Sequence, residues 1–132
     1  MRIVTAFLCN HAEVQSSTLY VHGGFPEWWN ITEIPSRQNL GLALVAEIEQ
    51  DELDIEFDLT VTAERDEDRS VVGAGGIRFR RVPPEQFVAG APLYQPLAMG
   101  LLLNFQNEGP HRVLVSESDQ QLAEIRFGVR VG

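Results

Sequence analysis

Cys9 and His11 stand two residues apart, and a thiol and an imidazole at that spacing share one face of a β-strand. The pair suits a nucleophile with its base, or two ligands of a zinc ion. Ile3, Thr5 and Phe7 fall on the same alternation, which reads Cys9 as a small buried hydrophobe instead. No second Cys and no His-x-x-x-His spacing accompanies it. His22 and His111 each abut a turn rich in Gly or Pro, so both are expected at strand ends, on the surface or hydrogen-bonded. A site that gathers His11, His22 and His111 is the geometric alternative.

The run from Glu47 to Asp68 holds 11 of the 19 acidic residues. One reading is calcium held between loops, with Asp51, Glu52 and Asp66 to Asp68 as oxygen ligands. The spacing matches no calcium loop, and Asp54, Glu56 and Asp58 occupy the polar half of an alternation. A solvated face with two charged turns is the expectation. Gly73-Ala74-Gly75-Gly76 resembles a phosphate loop only in composition. Arg78 stands where a dinucleotide fingerprint wants its third Gly, and no helical pattern follows to aim an N-terminus at a phosphate.

Trp28-Trp29 carries more. Adjacent residues of an extended segment point opposite ways, so both indoles cannot face one core. On one reading one indole is exposed, near Phe25, Pro26 and Ile31, as an anchor for a partner or a platform for a sugar ring. The other reading, favoured because most large aromatics are highly buried, is that the segment folds back and caps the open end of the core, burying both. Phe87 to Tyr94 is a second apolar stretch with the look of an exposed loop. The expected interaction patch is Phe25, Trp28, Trp29, Phe87 and Tyr94 together.

The elements that must position these residues are strands. Ile55, Phe57, Leu59 and Val61 alternate with Asp54, Glu56, Asp58 and Thr60, the period of a half-buried strand. Ala123, Ile125, Phe127, Val129 and Val131 repeat the pattern near the C-terminus. Eight strands are expected in all, over 3–14, 18–23, 40–49, 54–63, 70–82, 97–106, 111–116 and 122–131. Leu40 to Ile48 is apolar on both faces, as a strand covered on two sides would be. Residues 25–39 and 83–96 read as irregular, marked by prolines.

A turn centred on Glu67 sets Glu56 opposite Arg78 and Asp54 opposite Arg80, as cross-strand ion pairs of roughly 0.2–1 kcal/mol each. Gly73, Gly75 and Gly76 mark a bulge that shifts this register. In the closing hairpin, Val113 and Val115 oppose Ile125 and Ala123 on the core side. The expected fold is all-β: a single-domain antiparallel β-sandwich of about eight strands over residues 1–132, immunoglobulin-like in outline.

The opening strand followed by Thr18-Leu19-Tyr20-Val21-His22-Gly23-Gly24-Phe25, the proline-rich loop from Pro83 to Pro96, and the hairpin after Gly109-Pro110 resemble a family of small bacterial proteins of unknown function, common in actinobacteria. The resemblance implies a small all-β domain. It carries no catalytic, cofactor-binding or metal-binding residue to this chain.

Composition bounds the rest. A chain of 132 residues buries about two-thirds of its unfolded surface and holds a core without staples. The net charge of −9 argues against nucleic acid and against anionic membrane surfaces. All 10 basic residues are Arg, a preference that G- and C-rich codon usage explains. One Cys cannot form an internal disulfide, and the N-terminal apolar run is short and lacks a cleavage site, so a cytoplasmic location is expected. The expected function is a non-catalytic protein–protein interaction or assembly module, without cofactor, that self-associates or docks on a protein partner. The alternative is a small-ligand domain, for instance for carbohydrate, using Trp28 and Trp29. An enzyme needs a convergent acid, base and nucleophile or a metal, and no such set is visible.

Overall fold

The alternation of Phe57, Leu59, Val61 and Ala63 leaves all four buried, because each lies on the inner face of a strand running Glu56–Arg65. That strand is one of nine in a computed structural model that describes residues 1–24 and 26–132. In chain order they are β1 (Arg2–Gln15), β2 (Thr18–Gly24), β3 (Trp28–Ile31), β4 (Ser36–Ile48), β5 (Glu56–Arg65), β6 (Val71–Arg80), β7 (Leu93–Phe105), β8 (Gly109–Glu117) and β9 (Gln120–Val131). A 3-10 turn, Gln50–Glu52, follows β4. Two sheets result, of order β2-β1-β4-β7 and β3-β9-β8-β5-β6. The fold is an all-β sandwich.

The core between the sheets takes Leu40, Leu42, Leu44, Ala46 and Ile48 from β4, and Phe57, Leu59, Val61 and Ala63 from β5. Leu101, Leu103 and Phe105 of β7 and Val113 and Val115 of β8 join them. β4 is covered on its second face as well. There Ala43 packs with Cys9, Ala12, Leu19, Val21 and Ala98, so the β1–β2 hairpin lies over the outside of its own sheet. The hairpin turns on Ser16 and Ser17, both at positive φ (49° and 62°), the twist a two-residue connection requires.

Several sequence expectations need correction. β1 carries a bulge between Ile3 and Thr5, so Ile3 packs with Ala6 and Leu8 in the main core while Cys9 and Phe7 join the outer cluster. The bulge breaks the single alternation that put Ile3 beside Cys9. Ile55 precedes β5 and is exposed, because Asp54 at φ 62° interrupts the extended run.

The β5–β6 register sets Glu56 opposite Arg80 and Asp58 opposite Arg78, two residues from the expected pairing. The longer turn and an irregularity beside Val72 supply the two extra residues, and an even shift keeps every side chain on its face. Glu56 still reaches Arg78, at 3.2 Å, and Arg80, at 3.4 Å. β7 begins at Leu93 and contains Pro96, which an edge strand tolerates. The segment expected to be irregular after Pro26 contains β3, which pairs parallel to β9. The sandwich is therefore antiparallel except along that edge. The closing hairpin pairs Val113 with Ile125 and Val115 with Ala123, the expected register.

Candidate interaction site around Trp28

β3 is four residues long, and its alternation sorts the two tryptophans. Ile31 is buried and Trp29 packs against the main core. Trp28 and Asn30 then point outward, and Trp28 keeps 48% of its surface exposed. Main-chain bonds fix the strand to β9: Gly128 N–H donates to the Glu27 carbonyl at 2.9 Å, and Gly132 N–H to Ile31 at 3.1 Å.

Gly128 stands opposite Trp28, and its missing side chain is the indole's seat. A Cβ at Gly128 would fall 2.3 Å from Trp28 Cε3. The next outward residue of β9, Arg130, places its guanidinium carbon 5.5 Å from the Trp28 ring centroid, where a cation meets the electron-rich face. Arg130 Nε donates to Asn30 Oδ1, which holds the guanidinium in place. Beside the indole opens a cleft of about 420 Å³, lined by Glu27, Trp28, Pro110, Arg126, Phe127 and Gly128.

Beyond the cleft the outer face of the sheet is ionic. Arg126 meets Glu124 at 3.2 Å, and Glu124 meets Arg112 at 3.5 Å. Arg112 Nε donates to Glu64 at 2.7 Å, and both side chains of that pair are buried under their neighbours. The same carboxylate raises the Arg112 pKa through its hydrogen bond.

Directly behind the cleft, His111 is buried between Phe105 and Phe127, with ring centroids 5.3 and 5.7 Å away. Its Nδ1 lies 2.9 Å from the Gly109 carbonyl, so that nitrogen is the donor, and Nε2 has no partner among the described residues. Burial lowers the imidazole pKa, against the Gly109 bond that raises it. His111 is thus a core residue at a strand end.

The other candidates separate. Phe25 lies outside the described residues. Phe87 and Tyr94 are exposed, at 48% and 54%, but at the far end of the sandwich from Trp28. Trp28 pairs with Gly128, and Gly128 with Pro110, at the start of β8. β8 then runs to Glu117 opposite Leu59, near the end where β6 finishes and the 83–92 segment begins. One patch of Trp28, Trp29, Phe87 and Tyr94 is corrected on two counts: Trp29 faces the core, and the strands hold the other residues a β8-length apart.

Cys9 is fully buried and burial pushes its thiol pKa up, whereas His11 is exposed. His11 pairs across the hairpin with His22, and His111 does not join them. The acidic turns Asp51–Glu52 and Asp66–Asp68 sit at opposite ends of β5, about 30 Å apart at the usual rise. Among the described residues no three His, Cys, Asp or Glu side chains are grouped to hold a metal ion. Among them, too, no helix is long and apolar enough to cross a membrane.

Sequence reasoning missed β3, Gly128 and Arg130. A Gly within the alternation of β9, between two outward Arg residues, was the available signal.

No family model and no curated protein matches the chain. Among solved structures it is similar to an immunoglobulin-like protein from Pseudomonas aeruginosa, at 18% identity and a TM-score of 0.42, over 98% of this chain and 95% of that one. It is also similar to part of a β-glucosidase from Listeria innocua, at 12% identity and a TM-score of 0.42, over 81% of this chain and 15% of that one. A third likeness, at 14% identity and a TM-score of 0.32, is to the alkylpurine DNA glycosylase AlkC of Pseudomonas fluorescens, over 95% of this chain and 30% of that one. Likenesses this distant carry no activity across.

Proposed function

We propose that this protein is a non-catalytic interaction module that docks on a protein partner through the β3–β9 face, with Trp28 as the anchor. The observation that carries the reading is the half-exposed indole, seated on Gly128 and held by Arg130. A large aromatic fixed in place before contact loses little freedom on binding, which is why such residues serve as interface anchors. The acidic balance of the chain fits a protein partner better than nucleic acid or an anionic membrane, and a cytoplasmic setting goes with it. The Phe87–Tyr94 segment is a separate apolar surface in this reading.

The experiment is quantitative capture from native lysate with tagged wild type and Trp28→Ala. A chain retained in stoichiometric amount by wild type and lost from the variant, with the fold intact by circular dichroism, supports the proposal. Equal capture by both proteins, or none by either, removes it.

The cleft between Trp28 and Pro110, with Glu27 and Arg126 on its walls, favours one second reading. An aromatic ring flanked by polar groups is also a platform for a sugar. Quenching of tryptophan emission by an oligosaccharide, absent in Trp28→Ala, would establish that reading; a flat response across an oligosaccharide panel would dispose of it.

A further inference from the structure

β1 serves two partners in turn, and a cleft opens where it leaves one for the other. Its pairing with β4 ends at Cys9, opposite Gly41, and from Cys9 to Gln15 it pairs with β2. β4 stays paired with β7 from Ser36 to Ile48. Among the described residues no strand lies along the other edge of β4 between Ser36 and Leu40. The space between the departing β1 and the sheet is a cleft of about 270 Å³, with Asn10 and His11 of β1 and Asn39 of β4 as walls and Gly41 and Gly100 as floor.

The two glycines stand opposite each other on β4 and β7, on the outer face that also carries Ala43 and Ala98. They are there for different reasons. Gly41 is a packing requirement: a Cβ would fall 2.7 Å from Cys9 Sγ and 3.0 Å from the Ala12 main-chain nitrogen. Gly100 has no such reason. A Cβ there would meet nothing within 4 Å. A mid-strand glycine loses backbone entropy on folding and packs no side chain, so almost any other residue would serve the strand better. What its bareness provides is an open floor, the use of a strand glycine where a ligand approaches the main chain.

The walls define the ligand. The side-chain amides of Asn10 and Asn39 make no hydrogen bond among the described residues. Each offers two N–H donors and a carbonyl acceptor, the complement of neighbouring hydroxyls that both donate and accept. No Asp, Glu or Arg lines the cleft, in a chain of which 22% is charged. Ala12, Leu40 and Met99 supply apolar surface for C–H groups. We propose that this cleft binds a neutral, hydroxyl-rich small molecule of monosaccharide size, held by Asn10 and Asn39 over the Gly41–Gly100 floor. The volume lies just under the roughly 300–1,000 Å³ of sites for drug-sized ligands, which suits a single sugar ring. The site is separate from the Trp28 cleft, which belongs to the other sheet.

The test is calorimetric titration of wild type, Asn39→Ala, Gly100→Val and Trp28→Ala with uncharged probes: glucose, galactose, mannose and myo-inositol. The expected result is one-to-one binding of at least one probe by wild type and, with equal affinity, by Trp28→Ala. Asn39→Ala should weaken it tenfold or more, and Gly100→Val should abolish it. Gly100→Val should melt no lower than wild type, since its side chain enters open space and valine suits a strand. Should it unfold instead, Asn39→Ala still decides. Amide shifts of wild type under the bound probe are the readout free of any variant, and they should move at 10–12, 39–41 and 99–100. No probe bound by wild type, full binding by a folded Gly100→Val or by Asn39→Ala, binding lost in Trp28→Ala, or shifts confined to the β3–β9 face each overturns the proposal.

Discussion

Trp28 lies on Gly128 so closely that a methyl group there would sit 2.3 Å from indole Cε3. Glycine at 128 is the condition for the outward face of β3. Gly128→Val should evict the indole, cost about 1–3 kcal/mol as overpacking does, and red-shift tryptophan emission. Trp28→Ala should leave the fold standing, because its ring is half exposed while Trp29 keeps the core contact. Urea unfolding and emission spectra of the two variants check both statements. A stable Gly128→Val protein with unshifted emission would contradict the seat.

The Glu64–Arg112 pair is buried on the outer face of the five-stranded sheet. Removing Glu64 leaves the buried Arg112 to its longer contacts with Glu124, at 3.5 Å, and Asp66, at 3.9 Å, whereas removing both leaves neither charge of the pair behind. Glu64→Leu alone should lower the melting temperature more than Glu64→Leu combined with Arg112→Met. A double-mutant cycle by calorimetry reads the difference. Equal losses in the single and double variants would mean that the pair contributes nothing beyond packing.

His111 ties stability to pH. Burial between Phe105 and Phe127 holds its pKa below the ordinary 6.5. As pH falls through 6.5 the unfolded chain takes up a proton that the folded chain refuses, so the unfolded state gains. Stability is therefore full above pH 6.5. It declines below that value toward the folded pKa, at no more than about 1.4 kcal/mol per pH unit for one proton. His111→Leu should flatten that part of the profile, whatever its effect on stability at neutral pH. Denaturant midpoints across the window decide it: an unchanged slope in the variant would clear His111 of the role.

Gln50 clamps the 83–92 segment, donating from Nε2 to the carbonyls of Val88 at 2.7 Å and Ala91 at 3.0 Å. Gln50→Ala should raise the rate of chymotryptic cleavage at Phe87 severalfold, with little change in melting temperature, since both bonds are peripheral to the core. It should leave Trp28-dependent capture untouched, because Trp28 sits at the other end of the sandwich. Limited proteolysis with mass detection reads the first effect.

Strands announced themselves wherever neighbours in sequence are neighbours in space. Phe57 to Ala63 and the Val113–Ile125 pairing needed only period two and a short turn, and both are present as read. The opposite case is β3. Its four residues are too few for a period to show, and its partner lies 100 positions on, at Gly128. The seat of Trp28, the hold of Arg130 and the burial of Arg112 by Glu64 all depend on such distant pairings, which no local pattern encodes. Even so, the rule that adjacent residues point apart did separate Trp28 from Trp29. It could not say which indole faced out, because that is decided by what Ile31 and Val129 pack against.

The parallel pairing of β3 with β9 also sets an order of events during synthesis. Trp28 emerges early, but the glycine beneath it is made 100 residues later. At about 5–20 residues per second that interval is roughly 5–20 seconds. Through it the nascent chain carries two tryptophans with no strand to dock on, and long-range pairings of this kind form slowly. The β3–β9 face thus cannot form until Val131 has been made.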